Sequence, residues 1–368
     1  MSQLQTPYYL IDEIRLKKNL EKIHLIRQES GAKSVLALKC FSTWCVFDLM
    51  SQYMDGTTSS SLFEARLGRE KFGKEVHAYS VVYSAEEVEA VRAIADKVIF
   101  NSVSQLKKFH GLVQGMKVGL RVNPGISYSH YDLADPARQY SRLGVCSDQD
   151  LHGVADLISG MMFHFNCEND DLENLTAALS RIGSRYGSLL EKMEWISFGG
   201  GIYFSKEDYP LEAFCGVLKE FRDRYGVQVY LEPGEAAISN STELVTTVLD
   251  VVHNEIDIAI VDSSVEAHFL DHLIYRSSPR ISFPGPGTCR IMIAGRSCLA
   301  GDVFGTYDLE RLPAVGDEVR FADAAGYTMV KKNWFNGVPM PAIAVRRLNG
   351  TVELVKSFGY EDYKGSLS

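Results

Sequence analysis

From residue 12 to residue 236 the chain repeats one pattern, a short apolar run followed by an amphipathic stretch. The runs are VLALK (35–39), GTTSSS (56–61), VHAYS (76–80), KVIFN (97–101), KVGLRVN (117–123), GMMFHF (160–165), WISFGG (195–200) and VQVYLEP (227–233). Runs this short, bounded by turn residues, read as strands. The stretches between them read as helices. SAEEVEAVRAIAD begins at Ser84 and carries Glu87 three residues later, the signature of a capping box. DLENLTAALSRIGSRYGSLLEKM (171–193) has apolar residues at helical spacing. Strand–helix alternation requires parallel strands joined by crossover helices. About eight units in roughly 220 residues predict a (β/α)8 barrel of the TIM type rather than an open doubly wound sheet. No GxGxxG follows the first strand, which weighs against a dinucleotide site.

After residue 237 the texture changes. ELVTTVLDVV (243–252), DIAIVD (257–262), RIMIAG (290–295), EVRFADA (318–324), PAIAVRRL (341–348) and VELVKSFG (352–359) read as strands, with almost no long helical pattern between them. The expected organisation is a barrel over 12–236 and an all-β domain, sandwich- or barrel-like, over 237–368. TPYYLID (6–12) is strand-like too, so residues 1–11 are assigned to the second domain. The net charge of −9 disfavours a general nucleic-acid or anionic-membrane binder. No apolar run reaches the ~18 residues that span a bilayer, and the N-terminus lacks a secretory pattern. Seven cysteines without CxxC pairs argue against a disulfide framework and structural zinc, and favour a reduced cytoplasmic enzyme.

Active sites of such barrels lie at the C-terminal ends of the strands. Lys39 ends the first run, His164 lies in the sixth, FGGG (198–201) ends the seventh and Glu232 ends the eighth. Arg142, in SRLG, follows the fifth at some distance. A strand-end lysine can simply reach out to water. In an apolar setting it can instead be a neutral nucleophile that bonds covalently to a carbonyl. Consecutive glycines can form a tight turn, or let backbone amides cradle a phosphate. No Lys-Ser/Thr pair follows them, so a single phosphate monoester fits better than a nucleotide. His164 with Cys167 and Glu168 matches no standard zinc spacing. Its flat ring suits the face of a planar cofactor as well as it suits a core. A glutamate at a strand end can be structural, or can keep a pyridine nitrogen protonated. An amine, a phosphate cradle, a flat ring and an acid together match pyridoxal 5′-phosphate.

The segments ALKCF, LRVNPG, SRLG, FHF, FGGG, EPGEA, CLAGD and AAGYT occur in an order that resembles the alanine-racemase-like, fold type III decarboxylases dependent on pyridoxal phosphate. TPYYLID, SVEAHFLDHL and GRSCLAGD sharpen the resemblance, which runs over nearly the whole chain. It implies that Lys39 carries the cofactor, His164 stacks on its ring, Gly199, Gly200 and Gly201 hold its phosphate, and Glu232 pairs with its ring nitrogen. Arg142 would reach the region of its phenolic oxygen, and Tyr327 would lie beside the phosphate. Cys298, otherwise a small apolar residue, would be the proton donor. Cys298 and Asp302 would come from a partner subunit of a homodimer with shared active sites. Many relatives carry arginine where this chain has Glu235, which frees Glu235 to meet a cationic substrate. Glu266, His268 and Asp271, in VDSSVEAHFLDHL, are further candidates, and a solvated loop is the alternative for that segment.

The activity so implied is decarboxylation of carboxynorspermidine or carboxyspermidine to norspermidine or spermidine, in polyamine biosynthesis. A diaminopimelate or other basic amino-acid decarboxylase is the nearest rival. Glu235 and EAHFLDHL disfavour it. A binding or regulatory homologue without catalysis is the rival from another class, and the joint presence of Lys39 and Cys298 argues against it.

Overall fold

The structure, a computed structural model, describes residues 4–129 and 131–368. Two compact units emerge: Asn19–Ala237, and the residues up to Lys18 together with Ile238–Ser368.

After β1 (Tyr8–Asp12), eight strands follow: β2 (Lys33–Ala37), β3 (Gly56–Ser59), β4 (Glu75–Tyr79), β5 (Lys97–Phe100), β6 (Lys117–Arg121), β7 (Gly160–Met162), β8 (Trp195–Ser197) and β9 (Gln228–Leu231). They close into the expected parallel barrel, sealed where Lys33 and Ser34 of β2 pair with Tyr230 and Leu231 of β9. Their near-continuous burial is what a parallel sheet covered on both faces demands. Val35, Tyr79, Ile99, Met162, Trp195 and Tyr230 pack as one cluster. The Trp195 indole fits because Gly160 has no side chain: a Cβ there would lie 2.0 Å from the ring. The helix Ala85–Ile94 starts as expected, with Ser84 Oγ accepting the Glu87 N–H and the Glu87 carboxylate accepting the Ser84 N–H.

The strands end earlier than the apolar runs do. β2 stops at Ala37, and Lys39 sits in the turn beyond it. His164 likewise follows β7, and Glu232 follows β9. Single backbone bonds continue the ladder past those ends, Leu38 N–H to Thr58 O at 3.0 Å and Glu232 N–H to Gly199 O at 2.9 Å. The reactive residues therefore stand where the regular ladder gives way to the loops of the mouth.

The second unit is a mainly antiparallel sheet. Its remaining strands are β10 (Thr242–Asn254), β11 (Ile256–Val261), β12 (Ile281–Phe283), β13 (Pro286–Ala294), β14 (Val303–Leu309), β15 (Glu318–Ala322), β16 (Ala342–Arg346) and β17 (Val352–Lys356). The order is β14-β13-β11-β10-β1-β16-β17, with β15 beside β10 and β12 beside β15. As its sequence suggests, β1 joins this sheet, antiparallel to β10 and parallel to β16. Tyr8 and Leu10 of β1 pack there against Val245 and Ala344. Among the described residues no helix is long and apolar enough to cross a membrane.

Candidate active site

At the mouth of the barrel Lys39 Nζ lies 3.4 Å from His164 Nε2. The Gly200 N–H donates to His164 Nδ1 at 3.2 Å. A ring nitrogen that accepts has no proton, so a neutral His164 carries its proton on Nε2, facing the amine. Burial, then the charges of Lys39 and Arg121, hold His164 well below its ordinary range. The Lys39 side chain is accessible at the mouth while protein crowds it on its other sides. Those surroundings, and then Arg121, push its ammonium below the usual lysine value, against the pull of Glu232 and Glu64. Both effects favour a neutral, nucleophilic amine.

Glu232 is buried, with Oε1 accepting from Ser197 Oγ at 2.5 Å. Burial raises its carboxyl, and Ser197, Lys39, Arg121 and Thr58 draw it back. The glycine run follows β8. Gly199 and Gly201 adopt φ of +69° and +79°. A Cβ at Gly199 would lie 2.3 Å from His164 Nδ1, one at Gly200 2.4 Å from the Glu232 carbonyl oxygen, and one at Gly201 2.3 Å from the Asn166 carbonyl oxygen. Only glycine allows this loop to be left-handed and to pack against His164 and Glu232 at once. Beside it, the buried Asn166 Nδ2 has no hydrogen-bond partner among the described residues.

Arg121, at the end of β6, emerges as a site residue that sequence reasoning passed over. It is buried, and its Nη1 donates to Tyr79 Oη at 2.8 Å. Tyr79 Oη donates to Asn101 Oδ1 at 2.9 Å, and Asn101 Nδ2 donates to the Arg142 carbonyl at 2.8 Å. The Gly144 N–H also reaches Asn101 Oδ1, at 2.9 Å. The exposed Arg142 thus rides on a loop pinned to the Arg121–Tyr79–Asn101 chain. The available signal was a lone charge among apolar residues in GLRVN, which read as an ordinary strand end. Glu235 opens the short helix Glu235–Ile238 and is half-buried.

Within the second unit, Cys298 lies on the exposed segment after β13, and its N–H donates to Asn336 Oδ1 at 2.6 Å. Asp302 is buried, with Oδ1 accepting the Val265 N–H at 2.7 Å and Oδ2 the Ser297 N–H at 2.9 Å. It ties two loops together. His268 is also buried, its Nδ1 is 2.9 Å from Ser263 Oγ, and burial lowers it to about 3. Asp271 pairs with Lys331 Nζ at 2.5 Å, and that ammonium also lies 5.1 Å from the centre of the Tyr327 ring. Tyr327 has φ of +52°. Glu266 differs from these. Its Oε2 is buried without a hydrogen-bond partner among the described residues, and burial raises its carboxyl while Asn333 lowers it.

The family model described as "Pyridoxal-dependent decarboxylase, pyridoxal binding domain" matches residues 16–239. The chain belongs to that family. A carboxynorspermidine/carboxyspermidine decarboxylase of Herminiimonas arsenicoxydans is 50% identical over 99% of this chain and 100% of its own length. A carboxyaminopropylagmatine decarboxylase of Synechocystis is 35% identical over 100% of this chain and 96% of its own. The solved carboxynorspermidine decarboxylase of Campylobacter jejuni, in complex with norspermidine, superposes with a TM-score of 0.91 at 33% identity, covering 99% of this chain and 100% of that one. As a pyridoxal-dependent decarboxylase the chain uses pyridoxal phosphate. The residues at the mouth fit that group. Lys39 offers an amine to an aldehyde and Glu232 a buried acid to a ring nitrogen. The orphaned Asn166 amide beside the glycine loop suits an anionic oxygen, while the Gly199 and Gly200 N–H groups already donate to Ser197 Oγ and His164 Nδ1.

Proposed function

We propose that the chain decarboxylates carboxynorspermidine or carboxyspermidine, releasing carbon dioxide and norspermidine or spermidine. The observation that carries the chemistry is the Lys39 amine 3.4 Å from His164 Nε2 at the barrel mouth, where the buried Glu232 follows β9. Full-length similarity to relatives named for carboxylated polyamines supports the substrate.

Bound at Lys39, pyridoxal phosphate supplies a sink for the electron pair left when the carboxylate departs as carbon dioxide. Lys39 Nζ would hold the cofactor covalently. His164 would pack against its ring and orient it. Glu232, drawn from water, would hold a proton at the ring nitrogen, since opposite charges ~3 Å apart attract by about 5 kcal/mol at an effective dielectric near 20. Gly199, Gly200 and Gly201 would hold the phosphate, and Tyr327 is assigned to the same group. Arg121 and Arg142 would together meet its phenolic oxygen. Cys298 Sγ gives its proton to the carbon that lost the carboxylate, and the thiolate recovers a proton from water.

Glu235 and Glu266 are assigned to the ammonium groups of the substrate. Glu266 is the stronger case, because its Oε2 has no donor within the described protein. Asp302 and His268 are assigned to the scaffold, because their hydrogen bonds go to Val265, Ser297 and Ser263. Asp271 is assigned to its ion pair with Lys331. The working form is a homodimer in which the Cys298 segment of one copy completes the other copy's site. The exposed Leu299 beside Cys298 and the exposed Phe335 beside Asn336 support a covered surface there.

The test is a substrate panel with added cofactor: carboxynorspermidine, carboxyspermidine, carboxyaminopropylagmatine and diaminopimelate, with amine products resolved by mass. Norspermidine or spermidine as the fastest product supports the proposal. Faster formation of lysine or of aminopropylagmatine overturns its substrate assignment.

A further inference from the structure

Three segments of the second unit close a ring of hydrogen bonds around Cys298. Asp302 binds the Ser297 N–H with one oxygen and the Val265 N–H with the other. The helical turn Val265–His268 is tied in turn to Asn333, whose N–H donates to Ala267 O at 2.8 Å and whose Nδ2 donates to Glu266 O at 3.1 Å. Asn333 Oδ1 accepts the Phe335 N–H at 2.8 Å and so shapes the next turn. Within that turn Asn336 takes a left-handed backbone, φ 54° and ψ 11°, and its Oδ1 accepts the Cys298 N–H at 2.6 Å. Asparagine is among the few side-chain-bearing residues that tolerate this conformation. The two consecutive amides of Ser297 and Cys298 are therefore held by side chains from opposite ends of the ring. The Cys298 side chain projects from this fixed backbone and stands exposed.

We propose that Asn336 is a positioning residue for the Cys298 thiol: by holding the Cys298 amide it fixes the direction from which Sγ delivers its proton. This rests on the reading of Cys298 as proton donor. Delivery to one carbon needs a narrow approach, and preorganised backbone supplies it without reordering during turnover. The proton moves from Sγ to carbon, and Asn336 exchanges none.

The test uses the full-length holoenzyme with N336G, N336D and C298A. Glycine keeps the left-handed turn and removes the acceptor, while aspartate keeps both. Amide hydrogen exchange at Cys298 reports the contact itself, independent of activity. N336G should speed that exchange by about tenfold or more, lower kcat by roughly 10- to 30-fold and leave KM within about twofold. N336D should restore slow exchange and kcat to within about threefold of the parent. Faster exchange in N336G with parental kcat, while C298A is strongly impaired, overturns the positioning role alone. A C298A variant with parental kcat overturns the reading of Cys298 and the positioning role with it. Unchanged exchange in N336G shows that the contact does not hold the amide and also overturns the inference. If N336G does not fold, N336S, whose hydroxyl is too short to reach, takes its place with the same outcomes.

Discussion

At the floor of the barrel Lys97, His77 and Glu75 meet; at its mouth Lys39, His164 and Glu232 do. The residue types are the same, and the hydrogen bonding is not. On the floor Glu75 Oε2 is 2.8 Å from Lys97 Nζ, 3.2 Å from His77 Nε2 and 2.9 Å from Tyr230 Oη, while Oε1 pairs with Lys33. Burial alone would raise the Glu75 carboxyl, but these partners hold it well below the carboxylate range. Lys97 also donates to Tyr230 Oη at 3.1 Å. Charges there are matched within the protein. At the mouth, among the described residues, Lys39 makes only a long contact to His164, and burial pushes Glu232 toward its neutral form. The difference teaches that a charged group becomes structural when the chain satisfies it, and becomes a site when the chain leaves room for an outside partner.

Substitution should separate the two ends. Lys39→Ala is expected to lower kcat/KM by at least about 10³-fold while leaving the melting temperature unchanged or raised. Turnover assays with thermal melts check both halves. Next is Glu232→Gln, where loss of the proton-holding acid should cost about 10²- to 10³-fold in kcat. On the floor the sign reverses. Glu75→Gln strands Lys97 and should cost about 3 kcal/mol of stability in denaturant titration, with kcat of the folded enzyme unchanged.

Acid should expose the same contrast. Burial lowers His77 to about 4 from 6.5. The unfolded chain therefore takes up a proton there first, and stability falls as pH drops from about 6.5 toward 4, by about 3 kcal/mol for this group alone. The parent should take up about one proton more on unfolding in that window than His77→Gln does. Equal slopes for the two would break the comparison. The smallest effect is expected for Gly200→Ala, where the added Cβ pushes on the Glu232 carbonyl. Cofactor affinity, read by equilibrium titration, should weaken by about tenfold, or 1.4 kcal/mol.

The barrel was legible because period and length of the apolar runs speak locally, and Ser84 and Glu87 announce a helix start within four residues. The Lys39, His164, glycine and Glu232 set was legible because strand ends of a barrel converge by topology. Partnership across distant sequence was hidden. Nothing in the loop around Asp302 shows that its oxygens belong to Val265 and Ser297, and nothing around Asp271 points to Lys331. Arg121 looked like a strand-end charge because Tyr79 and Asn101 arrive from other strands. β14 went unread because Gly305 and Asp308 interrupt its alternation.

The central claim is that the mouth lysine, and no other, carries the cofactor. Lys97 is the sharpest control, since burial depresses its ammonium as well. Borohydride reduction of the holoenzyme makes the lysine–cofactor bond permanent, and peptide mapping then locates it. The account predicts the label on Lys39 alone; a label on Lys97 or another lysine, or none on Lys39, would contradict it.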